Sequence, residues 1–555
     1  MTVIQAGTTP NFTVSYDDSI TAANNYQFSG LTLAQAVLAN CEDDLATISD
    51  LFGGIMPDPT TLPFQIYLQA GTSGASHPSC LSTQITCGVV PNSDVAGVLG
   101  LLRAEMAEVF MATQNQGVDC ASSNGEALSR VIAGLLDPKN RWRFRTGSDW
   151  LMSARQDWVN TTNPNDWDSA PIGCGTLFYY YLAYQLNFSW RDIIAAGAPT
   201  LGQTAAKLGI TNAFADFSAL LAQYFPQMTY PEDDNPFPLD RPALYLRHNL
   251  EDDGTSQTGA LNRSPDIIVK NNPVANPQAT YSTNISINSD TESDPFVVAG
   301  QNNYFYVRVW NRGALDYYWA TAHLYWSPAA TLVSPNLWNF LGLSGSSALA
   351  YVPKGNLVQV SSPGITWLSS NIPGPSHYCF VVILAHGYVP VPNLGTFNTF
   401  KDFVDYVYAH NNIAWHNFNV VSMIFEHLAL AFFITGAWDE PHNFVLETLA
   451  DLPQGSRIAL EVPRWLGRGL HPRHSAMEEH EDPHAGPDER RRVRIPLNAH
   501  GRHRLGQIEL PAAAKAASHL RVHIPEPHRN RPYEVAIRQL WAGREVGRIT
   551  WRFVP

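Results

Sequence analysis

The hydrophobic period of this chain changes once along its length, and that change limits what it can fold into. Up to about residue 224 apolar residues recur at helical spacing, whereas from about residue 303 they alternate in short runs separated by Asn, Gly and Pro. A helix-period segment does not settle as a strand, nor an alternating one as a helix, so the two parts must build different layers. At 555 residues the chain also exceeds the size at which one core keeps growing. These observations predict a multidomain α+β protein: an N-terminal, mainly helical domain with a small sheet, then two β-sandwich domains. The expected boundaries are 11–230 for the first domain, 231–262 for a linker, 263–421 for a β-sandwich, and 422–555 for a second, smaller β-sandwich.

Within the first part, helical periodicity covers 31–52, 95–112, 125–136, 173–186, 189–196 and 213–224, and 64–70 reads as a strand. Asp94 is placed to cap the second of these helices, and Phe225-Pro226 ends the last. The stretch 231–242 is acidic and carries four prolines, which marks a connector. Beyond it, alternating runs at 303–310, 317–326, 355–360 and 378–384 form one series, and 457–462, 519–524, 533–540 and 546–553 another. Between strands of the second series lies 471–494, charged and histidine-rich, expected to be a mobile loop. Its His471, His474, His480 and His484 lack the spacing of a built tetrahedral site.

Composition narrows the functional classes. Charged residues are 15% and aromatics 11%, with a middle rich in Asn, Thr, Ser, Gly and Pro, which suits an exported or extracellular protein. The N-terminus has neither a basic start nor an apolar stretch of signal type. No run reaches the ~18 apolar residues of a membrane span; 428–434 is too short and reads as a buried strand. A formal charge of −14 argues against nucleic acid as partner, and leaves a protein or surface ligand, within a larger assembly. Roughly half of the Lys and Arg follow Glu461, so the last segment is basic within an acidic chain. Cys80 and Cys87 bracket one short loop that a disulfide could close; Cys41, Cys120, Cys174 and Cys379 are expected as free buried thiols.

Two short segments carry the candidate chemistry: Ala104-Glu105-Met106-Ala107-Glu108 on the helix at 95–112, and Asn124-Gly125-Glu126-Ala127 opening the next. Together they resemble the active-site segments of gluzincin-type (HExxH) zinc metallopeptidases, in which two histidines one helical turn apart bind zinc, the Glu between them activates the metal-bound water, and a later helix supplies a Glu ligand. The resemblance implies that 64–70 is the edge strand beside the substrate cleft, that Glu105 takes the catalytic position and that Glu126 takes the third-ligand position. Ala104 and Glu108 stand where the two histidines belong. Similarly, Ser264-Pro-Asp-Ile-Ile-Val, Tyr306-Val-Arg-Val-Trp-Asn-Arg-Gly and Asn412-Ile-Ala-Trp-His-Asn-Phe-Asn-Val resemble accessory sandwich domains of bacterial exported proteins, which bind or space.

If the two helices face each other, Glu105, Glu108 and Glu126 converge, and like charges that close raise at least one pKa or recruit a cation. Glu108 and Glu126 are then the metal-ligand candidates, for Ca, Mg or Mn more than Zn. His77, just after the strand at 64–70, could supply a nitrogen ligand or act as a catalytic base beside Glu105. In the plain alternative the three glutamates pair with Arg103, Arg130 or the group Arg141, Arg143 and Arg145. Cys174 more readily packs than reacts, and at least one of Tyr179, Tyr180 and Tyr181 must face the core. Two functions follow: a non-catalytic binding or structural protein built on an inactivated metallopeptidase-like module, or a peptidase-type hydrolase with an altered, carboxylate-rich site.

Overall fold

A computed structural model shows two compact units, Met1–Leu239 and Asp240–Pro555. It describes the chain apart from residues 1, 232, 256–258, 283–292, 295–296, 346–347, 374–376, 387–391, 393–396, 424–426, 468, 471–477 and 482–490. The architecture is multidomain α+β, with a mainly helical first unit around a small sheet and antiparallel sandwiches in the second.

The first unit runs β1 (Val3–Thr8), β2 (Phe12–Asp17), α1 (Gly30–Leu51), β3 (Phe64–Ala70), β4 (Ala75–Ser76), β5 (Gln84–Val89), α2 (Val95–Gln114), α3 (Ser123–Leu136), α4 (Gly147–Met152), α5 (Ser169–Tyr180), α6 (Trp190–Ala195), α7 (Leu201–Lys207) and α8 (Ala213–Tyr224). The sheet order is β1-β2-β3-β5-β4, with β2, β3 and β5 parallel and the two edges antiparallel. The strand at 64–70 is therefore not the edge. As β3 it is central and turns Phe64, Ile66 and Leu68 into the core. The edge beside β5 is β4, two residues long, too short to show any period. Sheet pairing also begins at Val3, ahead of the expected start at 11, because β1 is an exposed edge with no alternation to betray it.

Most predicted helices appear within a few residues of their expected bounds, and Asp94 caps α2 by accepting from the Gly97 amide at 2.8 Å. The segment 173–186 divides: α5 begins earlier, at Ser169, and passes into a wider turn over Tyr181–Gln185. The stretch 231–242 is not a free connector. Asp234 accepts the amides of Thr146 (3.1 Å) and Gly147 (2.7 Å), Asp233 pairs with Arg141 at 2.8 Å, and Phe237 packs on Phe217 and Tyr181. Its carboxylates satisfy donors elsewhere in the unit, the Thr146 and Gly147 amides and the Arg141 guanidinium.

In the second unit, Asn303–Asn311 is flanked by Leu357–Val360 and Ile365–Trp367 and also pairs with Leu244–Tyr245 and Ile267–Lys270. Phe305, Val307 and Val309 from it share a core with Ala322, Leu324, Phe380, Val382 and Leu384 from a second sheet, ordered Asn339–Leu343, Thr321–Pro328, Tyr378–Ala385, Ile413–His416. Tyr378–Ala385 is buried on both faces: Cys379, Val381 and Ile383 turn instead toward the helix Phe400–Ala409. That explains its unbroken apolar run.

Among the described residues the second sandwich has five strands per sheet. One is ordered Phe418–Ser422, Arg544–Val554, Tyr533–Trp541, His442–Asp451, His500–Leu510; the other His427–Thr435, Lys515–His523, Arg457–Pro463, Arg491–Leu497, Glu478–Glu481. Phe418–Ser422, expected in the first sandwich, pairs in parallel with Arg544–Val554. His427–Thr435 is half-buried, not buried, with Leu430, Phe432 and Ile434 inward and Ala429 and Ala431 outward. Within the expected loop 471–494, Glu478–Glu481 and the start of Arg491–Leu497 are paired strands; His471, His474 and His484, and the side chain of His480, lie outside the described residues.

Candidate functional site

The site is built by α2, α3 and the turn after β4. Val98, Leu102, Met106 and Phe110 fall on the buried stripe of α2, and Asn115 ends the helix in the left-handed region at φ 53°. That phase leaves Glu105 and Glu108, three residues apart, beside each other on the flank next to α3 and β4. Glycines 71 and 74, both at positive φ, reverse the chain from β3 into β4, which delivers His77 over α2. In α3, Gly125 is required by close approach: a Cβ there would lie 1.9 Å from the Asp119 carbonyl oxygen. Asn124 is also structural, since its amide donates to the Pro199 carbonyl at 3.0 Å. The Asn-Gly-Glu segment thus owes two of its three residues to packing.

The four residues singled out from the sequence come together. His77 Nε2 lies 3.0 Å from Glu108 Oε2 and 3.5 Å from Glu105 Oε2. Glu108 shares a hydrogen bond with Glu126, and Arg130 stands 3.5 Å from the far side of Glu126. Side-chain exposures of 4% for His77, 13% for Glu105 and 6% for Glu108 set the cluster mostly out of water. The arrangement is a line, Glu105–His77–Glu108–Glu126–Arg130, with the imidazole between two carboxylates. Ser129, one turn beyond Glu126 and fully buried, adds a hydrogen bond to Glu108. Sequence reasoning passed over it; its i+3 spacing from Glu126 was the available signal.

Of the arginines considered as partners, only Arg130 serves the cluster. Arg103 pairs with Asp44 at 2.9 Å, Arg141 with Asp233 and Arg143 with Asp94 at 2.6 Å, while Arg145 lies over the Tyr230 ring. With so little positive charge, burial dominates. It pushes Glu108 up to about 7, against the hydrogen bonds from Glu126 and Ser129, and Glu126 up to about 8, helped by the Glu108 charge and opposed by Arg130. Glu105 rises for the same first reason, with the Glu108 charge next. Near neutral pH the line therefore holds protons, and the Glu126 carboxyl donates to Glu108.

The donors do not fit a zinc centre. The compact grouping around His77 is His77, Glu108 and Cys120, which leaves Glu105 and Glu126 outside it. Cys120 is not a thiol, however: it forms a disulfide with Cys80. A ligating imidazole also donates through its second nitrogen to an orienting partner, and His77 Nδ1 is buried with no hydrogen-bond partner among the described residues. The Cys80–Cys120 bond replaces the expected Cys80–Cys87 closure. Cys87 sits buried on β5, its thiol pushed far up by burial and then by Glu105. The disulfide ties the turn carrying His77 to the loop leading into α3. Elsewhere Cys174 is a buried thiol, and Tyr179, Tyr180 and Tyr181 all pack into the core.

No family model and no curated protein matches the chain. Among solved structures it is similar over 28% of its length to 25% of a family 123 glycoside hydrolase from Clostridium perfringens, at 13% identity and TM-score 0.15. It is similar over 47% to 90% of a collagen adhesin from S. aureus, at 7% identity and TM-score 0.13. A third likeness, over 53% of this chain and 98% of the other, is to the CupB6 tip adhesin from Pseudomonas aeruginosa, at 8% identity and TM-score 0.13. Likenesses of this size assign nothing to the chain. Among the described residues no helix is long and apolar enough to cross a membrane.

Proposed function

We propose that Met1–Leu239 is a metallopeptidase-like module that has lost zinc hydrolysis and now binds, and that the sandwiches of Asp240–Pro555 serve as binding or spacer modules for a protein or surface ligand. One observation carries the reading: His77, Glu108 and Glu126 are hydrogen-bonded to each other, with Glu105 3.5 Å from the imidazole, and among the described residues the one compact group of donors around His77 includes a cysteine already tied up in a disulfide. The mixed sheet with a short antiparallel edge strand ahead of α2, and Glu126 on the next helix, support the metallopeptidase-like ancestry. A carboxylate in place of an imidazole at position 108, and Ala104 at the other ligand position, remove the strongest zinc donors.

A second reading is favoured by a separate observation. Glu105 keeps a carboxyl raised by burial 3.5 Å from His77, the pairing a general acid and base need. On that reading the module is a hydrolase, acting on peptide bonds through its carboxylates. Metal analysis of untagged protein, together with a peptide-library cleavage assay of the wild type and Glu105→Gln, separates the two. The binding reading expects neither stoichiometric metal nor turnover. Cleavage lost in Glu105→Gln would overturn it in favour of the hydrolase.

A further inference from the structure

Trp319 is among the most exposed large side chains of the second unit, at 66%, and it stands at φ 69°. A bulky residue in the left-handed region is strained, and strain of this kind persists only where the surrounding structure imposes it. Here packing of the ring is not the reason, because the ring faces water. The backbone is what is held: the Trp319 amide donates to the Ala350 carbonyl at 3.1 Å and the next amide, Ala320, to Leu349. Those bonds continue a two-stranded ribbon, Tyr317–Tyr318 with Tyr351–Val352, which belongs to neither sheet of the first sandwich.

Two further exposed rings stand on the same ribbon. Tyr318 is 57% exposed and Tyr351 43%, and their centroids are 5.4 Å apart with planes tilted by 46°. Leu315 adds an exposed aliphatic side chain just before them. Polar groups border the rings. Asp316 accepts the Lys354 amide at 2.8 Å and hydrogen-bonds the Tyr351 hydroxyl, and the Lys354 side chain is exposed nearby. Folding normally removes such rings from water, and exposed rings held on one short ribbon with polar groups at their edges mark a binding surface.

The chemistry of the rim selects the occupant. Among the described residues of the ribbon, Asp316 and Lys354 cancel in charge and form no cluster of cations, which a phosphate backbone or an anionic lipid surface would need. Flat ring faces with hydroxyl and carboxylate acceptors at their edges suit a ligand that has apolar C–H faces and hydroxyl edges in one unit. We propose that the ribbon at Tyr318, Trp319 and Tyr351 is a binding platform for neutral polysaccharide, pyranose rings stacking on Trp319 and the tyrosines while their hydroxyls bond to Asp316. The site lies in the second unit and does not depend on the chemistry of the glutamate cluster.

Affinity electrophoresis of the full chain tests this, in gels containing soluble β-glucan, mannan, xylan, galactan or glycol-chitin. At least one polysaccharide retards the wild type, and Trp319→Ala weakens that retardation at least about tenfold, Tyr318→Ala and Tyr351→Ala less. Trp319→Gly, which relieves the backbone but deletes the ring, loses binding as Trp319→Ala does, so the ring and not the strain is responsible. Absence of retardation by every polysaccharide overturns the proposal. So does light scattering that shows a wild-type dimer dissociated by Trp319→Ala, since the platform would then be a contact between two copies of this chain.

Discussion

Replacing Glu126 by Gln should stabilise the first unit at alkaline pH and leave it nearly unchanged in acid. In the folded state Glu108 titrates near 7 and Glu126 near 8, against 4.5 for an ordinary glutamate, with burial the leading cause. A carboxyl whose pKa rises on folding binds more protons folded than unfolded, so its contribution is intact below about 4.5 and is lost as pH rises through the folded value. At about 1.36 kcal/mol per unit, Glu108 alone accounts for roughly 3 kcal/mol between pH 4.5 and 7. Glu108 and Glu126 share a hydrogen bond and one proton, so the pair loses on the order of 3–5 kcal/mol across the window, less than two independent losses would give. The carboxamide introduced by Glu126→Gln keeps an N–H to donate to Glu108 and has no proton to lose. Urea unfolding with hydrogen-exchange mass spectrometry on peptides of α2 and α3, at pH 5, 6, 7 and 8, isolates the local response from the second unit. The wild type should weaken steadily above pH 5, and Glu126→Gln should flatten that slope by about half. A wild-type stability independent of pH, or an identical slope in the variant, would refute the shared-proton line.

The Cys80–Cys120 disulfide closes a loop of sequence separation 40, so its reduction, or the pair Cys80→Ala and Cys120→Ala, should cost about 4 kcal/mol in the same assay; Cys87→Ala should leave the reductant sensitivity in place. Gly125→Ala forces a Cβ against the Asp119 carbonyl, and should destabilise α3 by about 3 kcal/mol or more, read as faster exchange over α3 and its preceding loop.

How much was legible beforehand differs by element for identifiable reasons. The longer helices announced themselves because each buries a stripe several turns long, whereas α4 and α7, of six and seven residues, were not foreseen; the sandwich strands showed because one face alternates against a core. β4 was invisible: a two-residue strand has no period, and its role comes from its neighbours in the sheet. β1, exposed along its length, carries no alternation either. Asp233 and Asp234 looked like linker chemistry, because nothing local distinguishes an acidic residue in water from one that pairs with a distant arginine, as Asp233 does, or accepts distant amides, as Asp234 does. The convergence of Glu105, Glu108, Glu126 and His77 was readable from spacing and resemblance, but their order along a line was not, since it depends on where the edge strand delivers His77. The disulfide pairing was hidden for the same reason. Cys87 is nearer Cys80 along the chain, but it points into the core from β5, whereas Cys120 meets Cys80 across a fold of 40 residues.

The hydrogen bonds and the disulfide together account for how buried carboxylates are held in one place. Three buried carboxylates in one place repel, and in a zinc enzyme the ion would supply the missing positive charge. Here the compensation is distributed. One imidazole comes from the edge turn, one guanidinium from Arg130, shared protons reduce the remaining charge, and a covalent bond between the His77 turn and the loop before α3 resists the residual repulsion. Each compensation also occupies a donor or acceptor that a metal would need. Stability of the folded unit and competence to hold zinc therefore oppose each other at these residues, and the arrangement satisfies the first.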